Sequence, residues 1–545
     1  MVVVSRTCGI GGILLLLIRF SGTAQTEKDY VDGDLITFNT NGAWCWFQDE
    51  RAIVDTAKKK LIVGSTNSGA GVDVVIYDIK SEKIDSKKAF NRLEYADDHN
   101  APGLCIAGNG NYVAMWAHHY DKYNTHYSIF NGQQWSGEKT FDWNKIPGGT
   151  DYTIAYSNVY YLSGEKRMFD FARANSRAPN FLFSDDNGNT WQFGGQLTTN
   201  SSNSYNKGYY KYWGDGKDRI DMVFTEEHPR DQKTSIYHGY IQGGKTYNTF
   251  GEVGDEDIYE RNQIPTFGDF TKVFAHGTKV NGVEMGRCWQ SDVVRYDDGT
   301  VAILFKARAN NSETDHRNFY SRFDGNEWKT TYIGKAGTKL YSEEQDYTGL
   351  GALCPNDPNT IYISSPFNPG DDNSKAGKRE IWKGVTEDQG ATWKWTAVTA
   401  NSSRDNFRPI VPAWNRDNTA LLWFRGTYTS AQIFSTQVVG VLYHHPVGVA
   451  ESKKDFSRVF EPSIRFDGSD LQRGEVTVRY SLQERACVDV GVYSLSGKLV
   501  ATLARGERAA GSYHVTWRAH DIPTGTYLCR MRAGGYSSVA TLALF

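Results

Sequence analysis

Apolar residues alternate with polar ones along most of the chain, and a helical rhythm of 3.6 residues is nearly absent. The alternation comes in pairs of short runs joined by Gly-Asn or Asp-Gly turns, as in "CIAGNGNYVAMWA", "VVRYDDGTVAILFKA" and "SRFDGNEWKTTYIG". These pairs predict antiparallel hairpins, because such turn residues accept the positive φ of a tight turn. An irregular repeat of roughly sixty residues over about 420 predicts a β-propeller, read as seven-bladed. Near residue 446 the pattern lapses into the polar "HHPVGVAESKKDFSR", which reads as a linker. Shorter runs follow ("VTVRYSL", "VDVGVYS", "YHVTW", "GTYLCRMRA", "VATLAL") and predict a small β-sandwich. The expected architecture is all-β: a propeller over 25–445, a linker over 446–460 and a sandwich over 461–545.

The first 24 residues read as a signal peptide. Arg6 precedes an apolar run from Ile10 to Ile18, and small residues follow at Gly22 to Ala24. The run is shorter than a membrane span needs, although an anchor is the alternative, and Arg19 is irregular. The expected location is therefore outside the cytoplasm, secreted or at the cell surface, with no membrane span.

Composition narrows the function classes. A formal net charge of -3 provides no general field for nucleic acid, so positive charge for an anionic ligand must be local. Six cysteines lie beyond the signal, widely spaced and without a CxxC pair, which excludes a disulfide scaffold. Cys487 and Cys529 sit in strand-like runs, as a local pair or as buried thiols.

Two stretches carry a turn motif. "SDDNGNTW" (184–191) fits Ser-x-Asp-x-Gly-x-Thr-Trp, and "TEDQGATW" (386–393) fits it with Thr first. Both resemble the Asp-box of bacterial neuraminidase repeats, with "FNGQQW" and "FDGNEW" as degraded copies. The Asp accepts from turn amides, the Gly takes positive φ and the Trp packs into the blade, so the motif reports fold and not catalysis.

Candidate chemistry comes from separate hairpins. His99 lies in "ADDHNAPG" ahead of one strand, and His119 ends the next, "YVAMWAHH"; a hairpin brings them to one edge. The adjacent His118 alternates to the opposite face, and spacing favours His119. Tyr156 in "AYSNVYYLS" and Arg173 at the end of "RMFDFAR" form a second such pair. Taken singly, a His beside Asp reads as a tethered turn and a Tyr as packing. Asn100, Tyr209 and His228 are candidate substrate contacts, the last in a turn with Pro229. Arg408 and Arg425 offer local positive charge. His276, Cys288 and Cys354 are zinc-ligand types in nearby repeats.

"WCWFQDERAIVD", "DHNAP", "YSN…YLS…FAR", the Asp-box, "TEEHPRD" and "NFRPIVP…LLWFRGTYT" together resemble the propeller lyases related to ulvan lyases of polysaccharide lyase families 24 and 25. That resemblance implies β-elimination on a uronate-containing polysaccharide, with two histidines, a tyrosine and an arginine as catalytic set: His99, His119, Tyr156 and Arg173. Arg173 would neutralise the carboxylate. Tyr156 is the expected base, with His99 as partner and His119 positioning the substrate. The chemistry would need no cofactor, and some members of the group carry a structural zinc. The alternatives are a sialidase-like hydrolase, although the Phe-Arg-Ile-Pro motif is missing, and a non-catalytic glycan-binding propeller. The C-terminal "YSLSGKLV", "GSYHVTW" and "PTGTYL" resemble sorting domains of type IX secretion, which implies that machinery as a partner. The chain ends "TLALF" without the usual basic residue, and a carbohydrate-binding module is the alternative.

Overall fold

The computed structural model describes residues 28–119, 123–146, 154–175, 177–199, 207–260 and 263–444 of one compact unit. In a second unit it describes 464–467, 475–482, 486–508, 511–519, 522–533 and 536–544. The expected signal peptide and linker lie outside the described residues. Regular structure among the described residues is strand, apart from three short 3-10 turns.

The first unit holds seven consecutive antiparallel sheets of four or more strands among its described residues. Their innermost strands are, in order, Ala52–Asp55, Gly103–Ile106, Ala155–Leu162, Tyr210–Gly214, Val283–Arg295 (edged by the two-residue Lys279–Val280), Gly351–Leu353 and Asp405–Ile410. Each sheet packs its inner strands against those of the next. The ring closes through Ile36–Asn39, which pairs with Ile433–His444 of the last sheet, Ile36 opposite Gly440. This is a β-propeller.

An apolar layer fills each junction between neighbouring sheets. Met115, Val159 and Leu182 seal the second against the third, Phe171, Ile220 and Phe224 the third against the fourth, and Trp423, Val439 and Ala352 the sixth against the seventh. Inner strands approach closely: a Cβ on Gly103 would meet the Ser157 carbonyl oxygen at 2.3 Å, so only glycine fits. The two Asp-boxes are superposable in chemistry. Asp186 accepts from Thr190 N at 2.9 Å and Asp388 from Thr392 N at 2.8 Å, with Gly188 and Gly390 at φ 83° and 93°. The degraded copies are also tight turns, with Gly132 and Gly325 at φ 93° and 99°.

The second unit has one sheet of Ile464–Asp467, Glu475–Leu482 and Gly511–Arg518 and another of four strands from Ala486–Ser494 to Tyr536–Leu544. Val478, Val488, Val490, Trp517 and Met531 form its core, giving a small β-sandwich. Cys487 is exposed and Cys529 buried, both free, so they do not form a local pair. No helix among the described residues is long and apolar enough to cross a membrane.

Candidate functional site

In an antiparallel sheet the start of the inner strand and the end of the second strand share one rim. That rule gathers the candidates. Asp97 caps the short turn Asp98–Asn100, accepting from His99 N at 2.9 Å, just before the inner strand Gly103–Ile106. His119 follows the second strand, Tyr112–Ala117. In the third sheet Ala155 pairs with Arg173, and a bulge between Ala155 and Asn158 puts Tyr156 at φ 66°. Tyr209 precedes the fourth inner strand, and His228 follows its partner strand.

His99, His119, Arg173, Tyr209 and His228 line one cavity of 580 Å³. One carboxylate fixes both of the first two imidazoles. Asp97 Oδ1 lies 2.5 Å from His99 Nδ1 and Oδ2 lies 3.2 Å from His119 Nδ1, and the rings stack 3.9 Å apart. Gln432 Nε2 donates to the same Oδ2 at 2.7 Å. Asp98 Oδ1 also lies 2.7 Å from His99 Nδ1, while its Oδ2 accepts from the Tyr428 hydroxyl at 2.7 Å.

The surroundings set the two rings in different protonation states. Burial disfavours charge on His99, yet Cys45, Asp97 and Asp98 outweigh it and hold its pKa well above the ordinary value. Burial, reinforced by the neighbouring His99 charge, lowers His119 to about 4, so its ring is neutral at pH 7. With Nδ1 turned to Asp97, the lone pair of a neutral His119 is on Nε2. A quarter of this side chain is open.

Arg173 places its guanidinium 4.8 Å from the Tyr209 ring centre. Its Nε and Nη2 are buried and have no hydrogen-bond partner among the described residues. His228 Nδ1 accepts from Arg230 N at 3.2 Å, which leaves the proton of the neutral ring on Nε2, 3.3 Å from the Tyr209 oxygen. Burial, then Arg173, drives the His228 pKa well below its usual value, consistent with that neutral ring. The Tyr209 oxygen therefore accepts, and its own proton is available to the cavity.

Tyr156 stands differently from its expected place as base. It does not line the 580 Å³ cavity; it lines an adjoining 20 Å³ void with Arg173 and Tyr209, room for about one water. Its hydroxyl lies 3.7 Å from Cys45 Sγ, and burial holds the phenol well above its ordinary pKa. That burial favours the protonated phenol over the phenolate.

Several other expectations need correction. Asn100 is fully buried and occupied, accepting from His119 N at 3.1 Å and donating to Tyr95 O at 3.3 Å, so it braces the histidine and does not meet substrate. Arg408 is sunk in the core, where it donates to the backbone carbonyls of Trp46, Gln48 and Pro409. Arg425 pairs with Asp29 at 3.2 Å. His118 is buried and accepts from Tyr95 N at 3.4 Å, away from the cavity. No metal-capable cluster among the described residues contains His276, Cys288 or Cys354; Cys288 packs beside Phe305, and Cys354 beside Tyr362 in a different junction. The donor groups that do cluster are Asp97, His99 and His119, and Cys45, Asp98 and His99. Ligands of a tetrahedral zinc stand about 3.3 Å apart, so the 2.5 Å Asp97–His99 contact fits a hydrogen bond instead.

Reading the sequence did not single out Cys45, Arg177, Arg230, Tyr341, Glu343, Glu344 or Tyr347, all of which meet this site. The signal available for four of them was "YSEEQDY", an acidic and aromatic run between two predicted strands.

No protein-family model matches the chain, and no curated protein matches it. Among solved structures, an ulvan lyase of polysaccharide lyase family 25 bound to -[GlcA(1-4)Rha3S]- aligns with TM-score 0.53 and 11% identity, over 74% of this chain and 95% of that one. The same kind of lyase without that ligand aligns with TM-score 0.52 and 11% identity over the same shares. The NanB sialidase of Streptococcus pneumoniae aligns with TM-score 0.37 and 10% identity, over 77% of this chain and 98% of that one. The first two likenesses show a shared fold, an all-β propeller; at such identity they leave the chemistry to the site.

Proposed function

We propose that the protein is a secreted polysaccharide lyase that cleaves a uronate-containing, ulvan-like anionic polysaccharide by β-elimination. The observation that carries this reading is Arg173, whose buried Nε and Nη2 lack hydrogen-bond partners among the described residues and which stands beside a tyrosine in a cavity with three histidines. A guanidinium whose buried Nε and Nη2 meet no hydrogen-bond acceptor among the described residues calls for an anion from outside, and a uronate carboxylate fits its fork. With His99 charged nearby, the positive edge stabilises the enolate-like state that forms as the C5 proton leaves.

The protonation states assign the remaining roles. Neutral His119 takes the C5 proton on Nε2. The electron pair from that C–H bond forms the C4–C5 double bond, the C4–O bond breaks, and Tyr209 gives its proton to the departing oxygen. Arg173 beside the ring and the His228 N–H then support the phenolate. Tyr156, behind Arg173, supports the cationic edge. No step calls for a metal or an organic cofactor. The export role of residues 1–24 and the sorting role of 461–545, with type IX secretion machinery as partner, belong to this proposal and rest on sequence.

The test is incubation with ulvan and other uronate polymers while following the ultraviolet absorbance of an unsaturated uronate. The reading expects a rise that Arg173→Ala and Tyr209→Phe remove without unfolding the protein. New reducing ends without absorbance would mean hydrolysis, and binding without either would mean a glycan-binding propeller.

A further inference from the structure

The hairpin that ends the seventh sheet reaches over the turn that carries His99. Its strands, Asn418–Ser430 and Ile433–His444, run past the first strand of their sheet, where Asp405 lies opposite Gly426. The far end of the hairpin holds both aspartates of that turn. Ala431 O accepts from Asp98 N at 2.9 Å, the Tyr428 hydroxyl donates to Asp98 Oδ2 at 2.7 Å, and Gln432 Nε2 donates to Asp97 Oδ2 at 2.7 Å. Gln432 is itself exposed and lines the 580 Å³ cavity, whereas Asp97 is fully buried. The oxygen that Gln432 holds is the one that faces His119 Nδ1, at 3.2 Å, so the amide has the shorter of the two contacts. His99 has the other oxygen at 2.5 Å.

We propose that Gln432 is a positioning residue that sets the basicity of His119, because its amide draws on the Asp97 oxygen that would otherwise hold His119 Nδ1 more tightly. The consequence for catalysis rests on the lyase reading of the same cavity. Each donor to a carboxylate withdraws negative charge from it, so Gln432 weakens the pull of Asp97 on a protonated His119. The ring then stays a neutral acceptor, with the lone pair of Nε2 ready for a proton. An apolar side chain at position 432 leaves Oδ2 to His119 alone, and the imidazolium becomes easier to form. The other charges that act on His119 come from His99 and from Arg173 of the third sheet. Arg177, Tyr209, His228 and Arg230 of the third and fourth sheets share the cavity, as do Tyr341, Glu343, Glu344 and Tyr347 from the connection before the sixth. A substitution at 432 changes none of these groups.

The experiment compares the wild-type protein with Gln432→Met in two readouts against pH. Methionine matches the length of glutamine and keeps water off Asp97, and an exposed hairpin tip accepts such a change with little effect on stability. The first readout is kcat/KM on ulvan by the ultraviolet assay. Its acidic limb should move up by about half a pH unit or more in the variant. Gln432→Ala, which lets water donate to the same oxygen, should move it less. A limb that stays in place in Gln432→Met overturns the proposal. So does a fall in kcat/KM by one factor at every pH, which is what a merely structural role gives. The second readout is the titration of His119 itself by nuclear magnetic resonance, in protein with carbon-13 in its histidines and with the signal identified by its loss in His119→Gln. The midpoint should rise in Gln432→Met by the same amount, and an unmoved midpoint overturns the proposal. If Gln432→Met does not fold, Gln432→Leu carries the same two predictions. The titration needs no turnover. Absence of product from every uronate polymer therefore overturns the lyase reading, while the titration still decides what Gln432 does to His119.

Discussion

The inner strands of the propeller carry buried charge at both ends, and the two ends differ in what satisfies it. At their finishing ends a 310 Å³ cavity is lined by Asp49, Glu50, Arg51, Tyr160 and Trp213. Here the polar groups are used up inside the protein. Asp49 accepts from the Tyr160 hydroxyl at 2.7 Å and from Tyr212 N at 3.1 Å. Lys211 reaches Glu50 at 3.2 Å, Ser291 O at 2.8 Å and Asp292 at 3.5 Å. Burial lifts Asp49 to about 6 and Asp292 to about 7, which marks the cost of this arrangement without implying chemistry. At the starting ends Arg173 and Glu344 each keep a buried polar atom without a hydrogen-bond partner among the described residues. Perturbed charge alone therefore does not mark a functional site; buried polar groups left without partners beside an open cavity do.

The sharpest way to break this contrast is to remove one cation from each end. Arg173→Ala should cut kcat/KM by about a thousandfold or more, with the melting temperature nearly unchanged, as expected when a preorganised cation is lost. Lys211→Met should do the reverse. It strands Glu50 and Asp292, destabilises the fold by about 3–5 kcal/mol in a denaturant titration, and leaves the activity of each folded molecule near wild type. A Lys211 variant that is stable but inactive would erase the distinction.

Next in size are the proton carriers. His119→Ala and Tyr209→Phe should each lower kcat by about a hundredfold to ten-thousandfold. Tyr156→Phe should cost about tenfold or less, since its hydroxyl faces Cys45 at 3.7 Å and not the open cavity. A reversed order of the two tyrosine variants would return the phenolic role to Tyr156, whose φ of 66° shows that the backbone there is already bent to an unusual purpose.

The pH dependence sharpens the same assignment. Because His119 sits at about 4, the acidic limb of kcat/KM should fall near pH 4, well below an ordinary histidine limb. The depressed value also means that the unfolded chain takes up this proton first. The His119 contribution to stability is present above about pH 6.5 and is lost as the pH falls towards 4. A limb near 6.5 would remove His119 as the base. The smallest effect belongs to the rim. Asp388→Ala opens one Asp-box turn and should cost about 1 kcal/mol of stability with no change in kcat.

The hairpin rhythm made the fold legible, because Gly-Asn and Asp-Gly turns and the Asp-boxes are local chemistry, and the structure has them where those residues stand. The rim pairing of His99 with His119 and of Tyr156 with Arg173 was legible for the same reason, since each pair spans a single hairpin. Contacts around the ring were not. The burial of Arg408 against Trp46 and Gln48 joins residues some 360 positions apart, and no local rule points its side chain inward. Tyr209 and Tyr156 are alike in sequence context. Only the bulge at Tyr156 and the His228 contact at Tyr209 separate the phenol that faces Cys45 from the phenol that faces the cavity. Glu343 and Glu344 were hidden in a connection, where "YSEEQDY" has the look of a solvated loop until the closed ring turns it inward.

The central claim is that a cavity built around Arg173, whose Nε and Nη2 have no hydrogen-bond partner among the described residues, breaks a uronate polymer by elimination. The most direct test is the mass of the oligosaccharides released from such a polymer by the wild-type protein and by Arg173→Ala. Elimination predicts fragments one water lighter than hydrolysis would give, from the wild type alone. Fragments of hydrolytic mass, or lighter fragments in equal yield from the variant, would contradict it.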